Sequence, residues 1–427
     1  MKLFLKGGRV IDPSQNIDSE LDILIDNGKI VQLTCDHTAV TPSDVEIVDV
    51  SPMIIVPGLI DIHTHLREPG HEYKETVHTG SEAAVAGGFT SIACMPNTDP
   101  VNDNRSVTEY ILKQARLAGM ANVYPVAAIS KGSAGKILTE FGDLKDAGAV
   151  AFSDDGRPVM NSRVMRSALE YAYSFDMPVI SHCEDLTLSE GGVMNEGVVS
   201  TELGLKGIPA IAEDIMVQRD ITLAAYTGTA VHIAHVSTDG AVHAIREAKK
   251  RGIRVTAETA PHYFTLTDDS LREFSSFMKV YPPLRGAQDV QSVKEGLRDG
   301  TIDAIASDHA PHSSIEKDIE FDFAASGING LETSLALSLQ LVRDNVLSIN
   351  QLIEKMSVNP AKILNLSKGT LAPGSDADIT VIDPSLTWTV NADHFRSKSR
   401  NTPFNTWVLQ GKAVMTIVEG RITFTNR

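Results

Sequence analysis

IIVPGLIDIHTH, residues 54–65, is an apolar run that closes on two histidines. Aliphatic and β-branched residues around a Pro-Gly break read as strand. On a strand His63 and His65, two apart, point the same way. The construction recurs along the chain. Asp155 follows AVAFSD, His182 follows PVIS, His235 follows TAVHIA, and Asp308 follows IDAIAS. Six metal-competent side chains on five strand ends converge only if the strands run parallel and share one open face. That is the geometry of a (β/α)8 barrel, whose site lies at the C-terminal ends of its strands.

Outward from this stretch, eight short apolar runs alternate with longer amphipathic ones: IIVPGLIDI, FTSIACM, NVYPVAA, GAVAFS, PVISH, AVHIAH, IRVTAE and IDAIAS. Between them, SVTEYILKQARLAG and IAEDIMVQRDITLAAYTG carry apolar residues at helical spacing. Ser106 and Glu109 fit a capping box and place one helix start. Eight strand–helix units in succession predict an α/β fold, a closed TIM-like barrel rather than an open sheet. The flanks are β-rich and punctuated by Gly, Asn-Gly and Pro, as in DILIDNGKIVQL and WVLQGKAVMTIVEG. Residues 1–53 and 371–427 are therefore expected to co-fold into a small β-sandwich domain, leaving 54–370 as the barrel.

The size, 427 residues, accommodates one barrel and one appended module. A formal charge of −17 offers no basic field for nucleic acid or an anionic membrane, and no segment reaches transmembrane length. MKLFLKGGRVIDPS breaks its apolar run at Lys6 and lacks a signal-peptide core. Three widely spaced cysteines form no disulfide framework, so the cytoplasm is the expected compartment.

Six ligands exceed the needs of one tetrahedral zinc. Two ions bridged by Asp155 would use them all, with His63, His65 and Asp308 on one and His182 and His235 on the other. A metal pair lowers the pKa of a shared water and polarises a neighbouring carbonyl. Asp308 is the expected general acid/base beside it. Imidazole and carboxylate donors suit Zn²⁺ first, then Mn²⁺ or Co²⁺. His232, His71, His78 and His262 read as structural or surface residues.

At VPGLIDIHTHLREPG the chain resembles the cyclic amidohydrolases. GDLKDAGAVAFSDDG, ISHCED, HIAHVST, YPPLR and SDHAPH narrow the resemblance to bacterial type I dihydroorotase, over nearly the whole chain. The resemblance implies interconversion of N-carbamoyl-L-aspartate and L-dihydroorotate, the third step of pyrimidine synthesis. It implies substrate contacts from His65, Arg67, Asn97 and His312, with the first three near the His-x-His motif and the strand that follows it. It also implies homodimers and, in some members, a complex with aspartate transcarbamoylase. Hydantoinases and allantoinases bridge their metals with a carboxylated lysine; here Asp154 and Asp155 occupy that stretch, Asp155 matching the bridge and Asp154 a turn. Two departures stand out. The family's asparagine before PPLR is Tyr281, whose hydroxyl is expected to replace the amide, and its Pro-Phe-Gly is Ala325-Ser326-Gly327, where Gly327 is expected to present its N–H. The rival readings are a hydantoinase or allantoinase, and a non-catalytic scaffold for aspartate transcarbamoylase.

Overall fold

The computed structural model describes residues 2–35 and 45–426. Eight parallel strands form the barrel: β1 (Leu59–Thr64), β2 (Phe89–Cys94), β3 (Asn122–Ala127), β4 (Ala151–Phe152), β5 (Ile180–Ser181), β6 (Val231–Ile233), β7 (Val255–Thr259) and β8 (Ala304–Ile305). β1 to β4 pair in order, as do β5 to β8. A bridge between Phe152 and Val179 joins the two halves, and one between Thr64 and His309 closes the ring. Ile60, Ala93, Val126, Ala151, Ile180, Ala234 and Ala304 form one buried cluster. Side chains from six strands, with Ala234 just past the end of β6, meet in this way inside a closed barrel. Most are alanine or isoleucine, small or slender enough to fit the axis.

The helix after β2 shows how local chemistry sets a boundary. It runs Arg105–Ala118, and its cap is Asn104, whose side chain accepts from the backbone N–H groups of Ser106 and Val107. The capping box expected at Ser106 and Glu109 is thus displaced by a stronger cap two residues earlier. Glu109 instead pairs with Arg105 one turn back, at 3.3 Å. Gly119, in the left-handed conformation, ends the helix.

Strands from both termini build one eight-stranded sheet, with Ile54–Pro57 at its centre between Lys2–Asp12 and Ile379–Thr389. Leu3, Ile23, Ile55, Ile379 and Ile417 close a core of their own against it. The apolar run that begins at Ile54 is therefore divided. Its first four residues pair antiparallel with Ile379–Ile382 in the terminal sheet, and only from Leu59 does it enter the barrel. Gly58 marks the join: a Cβ there would lie 2.1 Å from Thr90 Oγ1.

Candidate active site

The strand ends deliver the expected side chains to one place. One ligand atom each from His63, His65 and Asp155 lie within 4.8 Å of one another, and so do those of Asp155, His182 and His235. Asp155 is common to both groups and 4% exposed, and none of the histidines exceeds 6%. Asp155 Oδ1 is 3.3 Å from His63 Nε2, 3.6 Å from His182 Nδ1 and 3.7 Å from His235 Nε2. Its Oδ2 is 3.6 Å from His65 Nε2. Asp308 stands beside the first group, with Oδ1 3.3 Å from His65 Nε2 and 3.7 Å from His63 Nε2.

Whether these residues suit a metal pair is tested by their unused atoms. His63 Nε2 and Asp155 Oδ1 are buried without a hydrogen-bond partner and face each other across the site. Buried polar atoms are rarely left so, and a cation between them would satisfy both. The donor set fits.

Electrostatics support the same reading. Burial alone would raise the Asp155 carboxyl, but the His63 charge and the close approach of the His182 and His235 imidazoles outweigh it and hold the group well below its usual range. Burial is likewise overcome at Asp308, which His65 and the surrounding imidazoles hold at about 2. His182 is opposed by burial yet lifted to about 10 by Asp155 and Glu184. Both carboxylates are thus anionic at neutral pH, as ligands or proton acceptors must be.

The imidazoles are themselves oriented by carboxylates. Glu258, on β7, places Oε1 2.5 Å from His63 Nδ1. Its other oxygen lies 3.3 Å from His232 Nε2, so His232 has the structural place expected for it. Glu184 lies 3.2 Å from His182 Nε2. Such outer carboxylates fix the tautomer and raise the basicity of the ligating nitrogen. Sequence reasoning passed over both, although Glu258 closes IRVTAE and Glu184 sits in HCED at strand ends like the others.

Next to the imidazoles opens a cleft of about 450 Å³ lined by Arg67, Asn97, Tyr281, His312 and Gly327 among others. Arg67 Nε donates to Pro311 O at 3.2 Å, and Nη2 is 3.3 Å from His312 Nε2. His312 Nε2 is also 2.9 Å from Ser326 O, a pure acceptor, so the proton sits on Nε2. Burial, with Arg67 and Lys74 alongside, pushes His312 down to about 2, leaving a neutral ring. Asn97 Oδ1 is 2.9 Å from His65 Nδ1, so this amide orients the His65 ring as well as facing the cleft. Asp154 accepts from the backbone N–H of Ser130 at 3.0 Å, and its own carbonyl accepts from Arg157 N at 2.9 Å, in a turn.

At the two departures the structure corrects the expectation. The Tyr281 hydroxyl donates to Gly192 O at 3.2 Å, so it ties down the 186–192 segment instead of standing free as an amide substitute. The Gly327 N–H donates to Lys279 O at 2.9 Å and is not offered to the cleft. Gly327 is needed for another reason: at φ +132, a Cβ would meet Ala310 Cβ at 2.6 Å. Of the histidines set aside, His262 is buried and adjoins the site, with Nε2 unpartnered and burial pushing it down to about 4. His78 lies on the surface beside Glu82. Arg67, His235 and Asp308 all have positive φ, at 62, 34 and 48. Strain of this kind gathers where a site over-determines the backbone.

Residues 52–241 match the family model described as dihydro-orotase-like, and 222–424 match the amidohydrolase family. A dihydroorotase of Syntrophus aciditrophicus is 63% identical over 99% of both chains. One of Geobacter metallireducens is 59% identical over 99% of this chain and all of its own. Among solved structures, the L-hydantoinase of Arthrobacter aurescens superposes with a TM-score of 0.87 at 27% identity, covering 98% of this chain and 95% of its own. Whole-length identity to dihydroorotases, on a hydantoinase-like barrel with a complete imidazole–carboxylate centre, means that the chain belongs to the dihydroorotase family of metal-dependent cyclic amidohydrolases.

Proposed function

We propose that the protein interconverts N-carbamoyl-L-aspartate and L-dihydroorotate plus water, the third step of pyrimidine synthesis, using two Zn²⁺ ions. The observation that carries this reading is the pair of ligand groups sharing Asp155 beside a cleft that holds Arg67 and His312. His63 and His65, with Asp308 adjacent, would hold one ion, His182 and His235 the other, and Asp155 would bridge. When bound, the pair supplies water activation and carbonyl polarisation.

The chain's own residues do the rest. Asp308, anionic at neutral pH, takes the proton from the carbamoyl nitrogen as the ring closes, and in the hydrolytic direction returns it to the leaving ring nitrogen. Arg67 receives the remaining carboxylate, since a guanidinium matches its two oxygens. Asn97 completes the clamp, and the neutral His312 ring, held by Ser326 O, packs beside the Arg67 guanidinium and fixes the orientation of the closing atoms. A neutral hydantoin ring has no carboxylate for this clamp, and a scaffold subunit needs no complete ligand set.

No helix among the described residues is long and apolar enough to cross a membrane. With Cys35, Cys94 and Cys183 all unpaired, we assign the protein to the cytoplasm. A homodimer and a complex with aspartate transcarbamoylase are the assemblies this family offers, and sedimentation with and without the transcarbamoylase distinguishes them.

The test is dihydroorotate formation from N-carbamoyl-L-aspartate by purified protein, with zinc quantified on the same sample. Turnover with two zinc equivalents per chain is expected. Neither zinc nor turnover after zinc addition would favour the scaffold, and turnover of hydantoin or allantoin alone would overturn the choice of ring.

A further inference from the structure

Ahead of the last two strands, residues 397–401 (SKSRN) pack against loops that follow the barrel strands, with Ser397, Ser399 and Asn401 buried and Lys398 and Arg400 exposed. The Ser397 hydroxyl donates to Glu75, whose carboxylate lies 3.2 Å from His309 Nε2. The Ser399 hydroxyl donates to Lys74 O at 2.6 Å. Asn401 makes the densest set of contacts. Its Oδ1 accepts from His312 N at 3.1 Å, and its Nδ2 donates to Ala310 O at 3.0 Å and Gly327 O at 3.1 Å. Its carbonyl accepts from Asn329 N at 2.9 Å. The amide orientation is unambiguous, because a backbone N–H can only donate and a carbonyl can only accept.

These partners are the two walls of the cleft. Ala310 O and His312 N flank Pro311, and Pro311 O is the acceptor that aims the Arg67 guanidinium. Gly327 O adjoins Ser326, whose carbonyl fixes the His312 ring. One buried side chain therefore holds the backbone on both sides of Arg67 and His312. Asn401 itself does not line the cleft, and its side chain hydrogen-bonds to none of His63, His65, Asp155, His182, His235 or Asp308.

We propose that Asn401 is a positioning residue for the substrate's carboxylate, acting through Pro311 on Arg67 and through the Gly327 segment on His312. The C-terminal segment thereby determines how the barrel recognises an anionic ring. This inference rests on the dihydroorotase reading.

The test uses full-length, zinc-loaded protein and the variants Asn401→Ala and Asn401→Asp. The aspartate keeps the acceptor for His312 N and loses both donors, so it serves even if the alanine variant folds poorly. For each variant, KM for dihydroorotate should rise at least tenfold, with kcat within about threefold of wild type and zinc content unchanged. The inhibition constant of orotate, which retains the ring carboxylate, should rise with KM. A KM within twofold of wild type would overturn the proposal. So would a fall in kcat at constant KM, which is the mark of a smaller correctly folded fraction. Wild-type protein that fails to turn over dihydroorotate would remove the underlying reading and this proposal with it, an outcome separate from an unperturbed variant.

Discussion

Replacing Glu258 by Gln changes one atom of the site and removes one buried charge. Glu258 Oε1 is 2.5 Å from His63 Nδ1, and the two side chains are 1% and 0% exposed. A hydrogen bond to a charged partner in such a setting contributes about 1.5–3 kcal/mol, against about 1 kcal/mol between neutral groups. The amide oxygen still accepts from Nδ1, so the variant loses the difference, about 0.5–2 kcal/mol. That corresponds to roughly a 2- to 30-fold weakening of metal at His63, overlapping the lower part of the 10- to 100-fold range typical of outer-ligand changes. The group built from His182 and His235 keeps its own carboxylate in Glu184 and should keep its affinity. Chelator titration with zinc counted per chain reads both sites: one equivalent should leave earlier than in wild type, the other at the same chelator concentration. Unchanged release of both, in a variant with wild-type melting, would refute the claim that Glu258 sets the basicity of His63.

Asp308→Ala should lower kcat by about 10²–10⁴-fold, the usual loss for a general acid/base, with zinc retained at His182 and His235; near-normal turnover would remove Asp308 from its role. Gly327→Ala forces a Cβ to 2.6 Å from Ala310 Cβ at a φ of +132, and should cost about 2 kcal/mol or more in urea unfolding. KM should rise as well, because the displaced segment carries Ser326 O. Glu332 is raised to about 7 by burial, with the Glu75 charge adding to it, against hydrogen bonds from the N–H groups of Arg396 and Ser397. A carboxyl raised on folding binds its proton more readily in the folded state, so its contribution to stability falls as pH rises from about 4.5 to 7. Glu332→Gln keeps the acceptor oxygen and should melt higher than wild type at pH 8, by an increment of about 1 kcal/mol after allowance for partial exposure, and by much less at pH 5. An equal increment at both values would sink the assignment.

Much of the site could be read from the chain because a parallel barrel places function at a simple address, the residue just after an apolar run. His63, His65, Asp155, His182, His235 and Asp308 all occupy it. Glu258 occupies it too, but nothing in IRVTAE distinguishes a carboxylate that orients an imidazole from one that pairs with solvent. The division of IIVPGLIDI was hidden for a similar reason. Strands of the terminal sheet and of the barrel are both buried on two sides, so one unbroken apolar pattern serves each. Only the close approach of Thr90 to Gly58 marks the change.

The Arg67 side of the cleft was the hardest to read, and the reason is physical. Tyr281 and Gly327 were assessed by what each could offer a substrate, whereas the structure uses both inward: Tyr281 toward Gly192 O, and the Gly327 N–H toward Lys279 O. Lys317 takes this furthest. It is fully buried, and its ammonium donates to the carbonyls of Lys279, Ala325 and Gly327 at 3.3, 2.8 and 3.0 Å. Gly327 O thus accepts from both Lys317 and Asn401, which lie 10 and 74 residues away. Donors that saturate a carbonyl have no periodicity and no strand-end address. They hold the Ser326–Gly327 segment through backbone atoms, which tolerates a change from the family's Phe to Ser326 at the side chain so long as the carbonyl still meets His312. That is why the motif can depart from the family pattern while the His312 ring keeps its place between Ser326 O and Arg67.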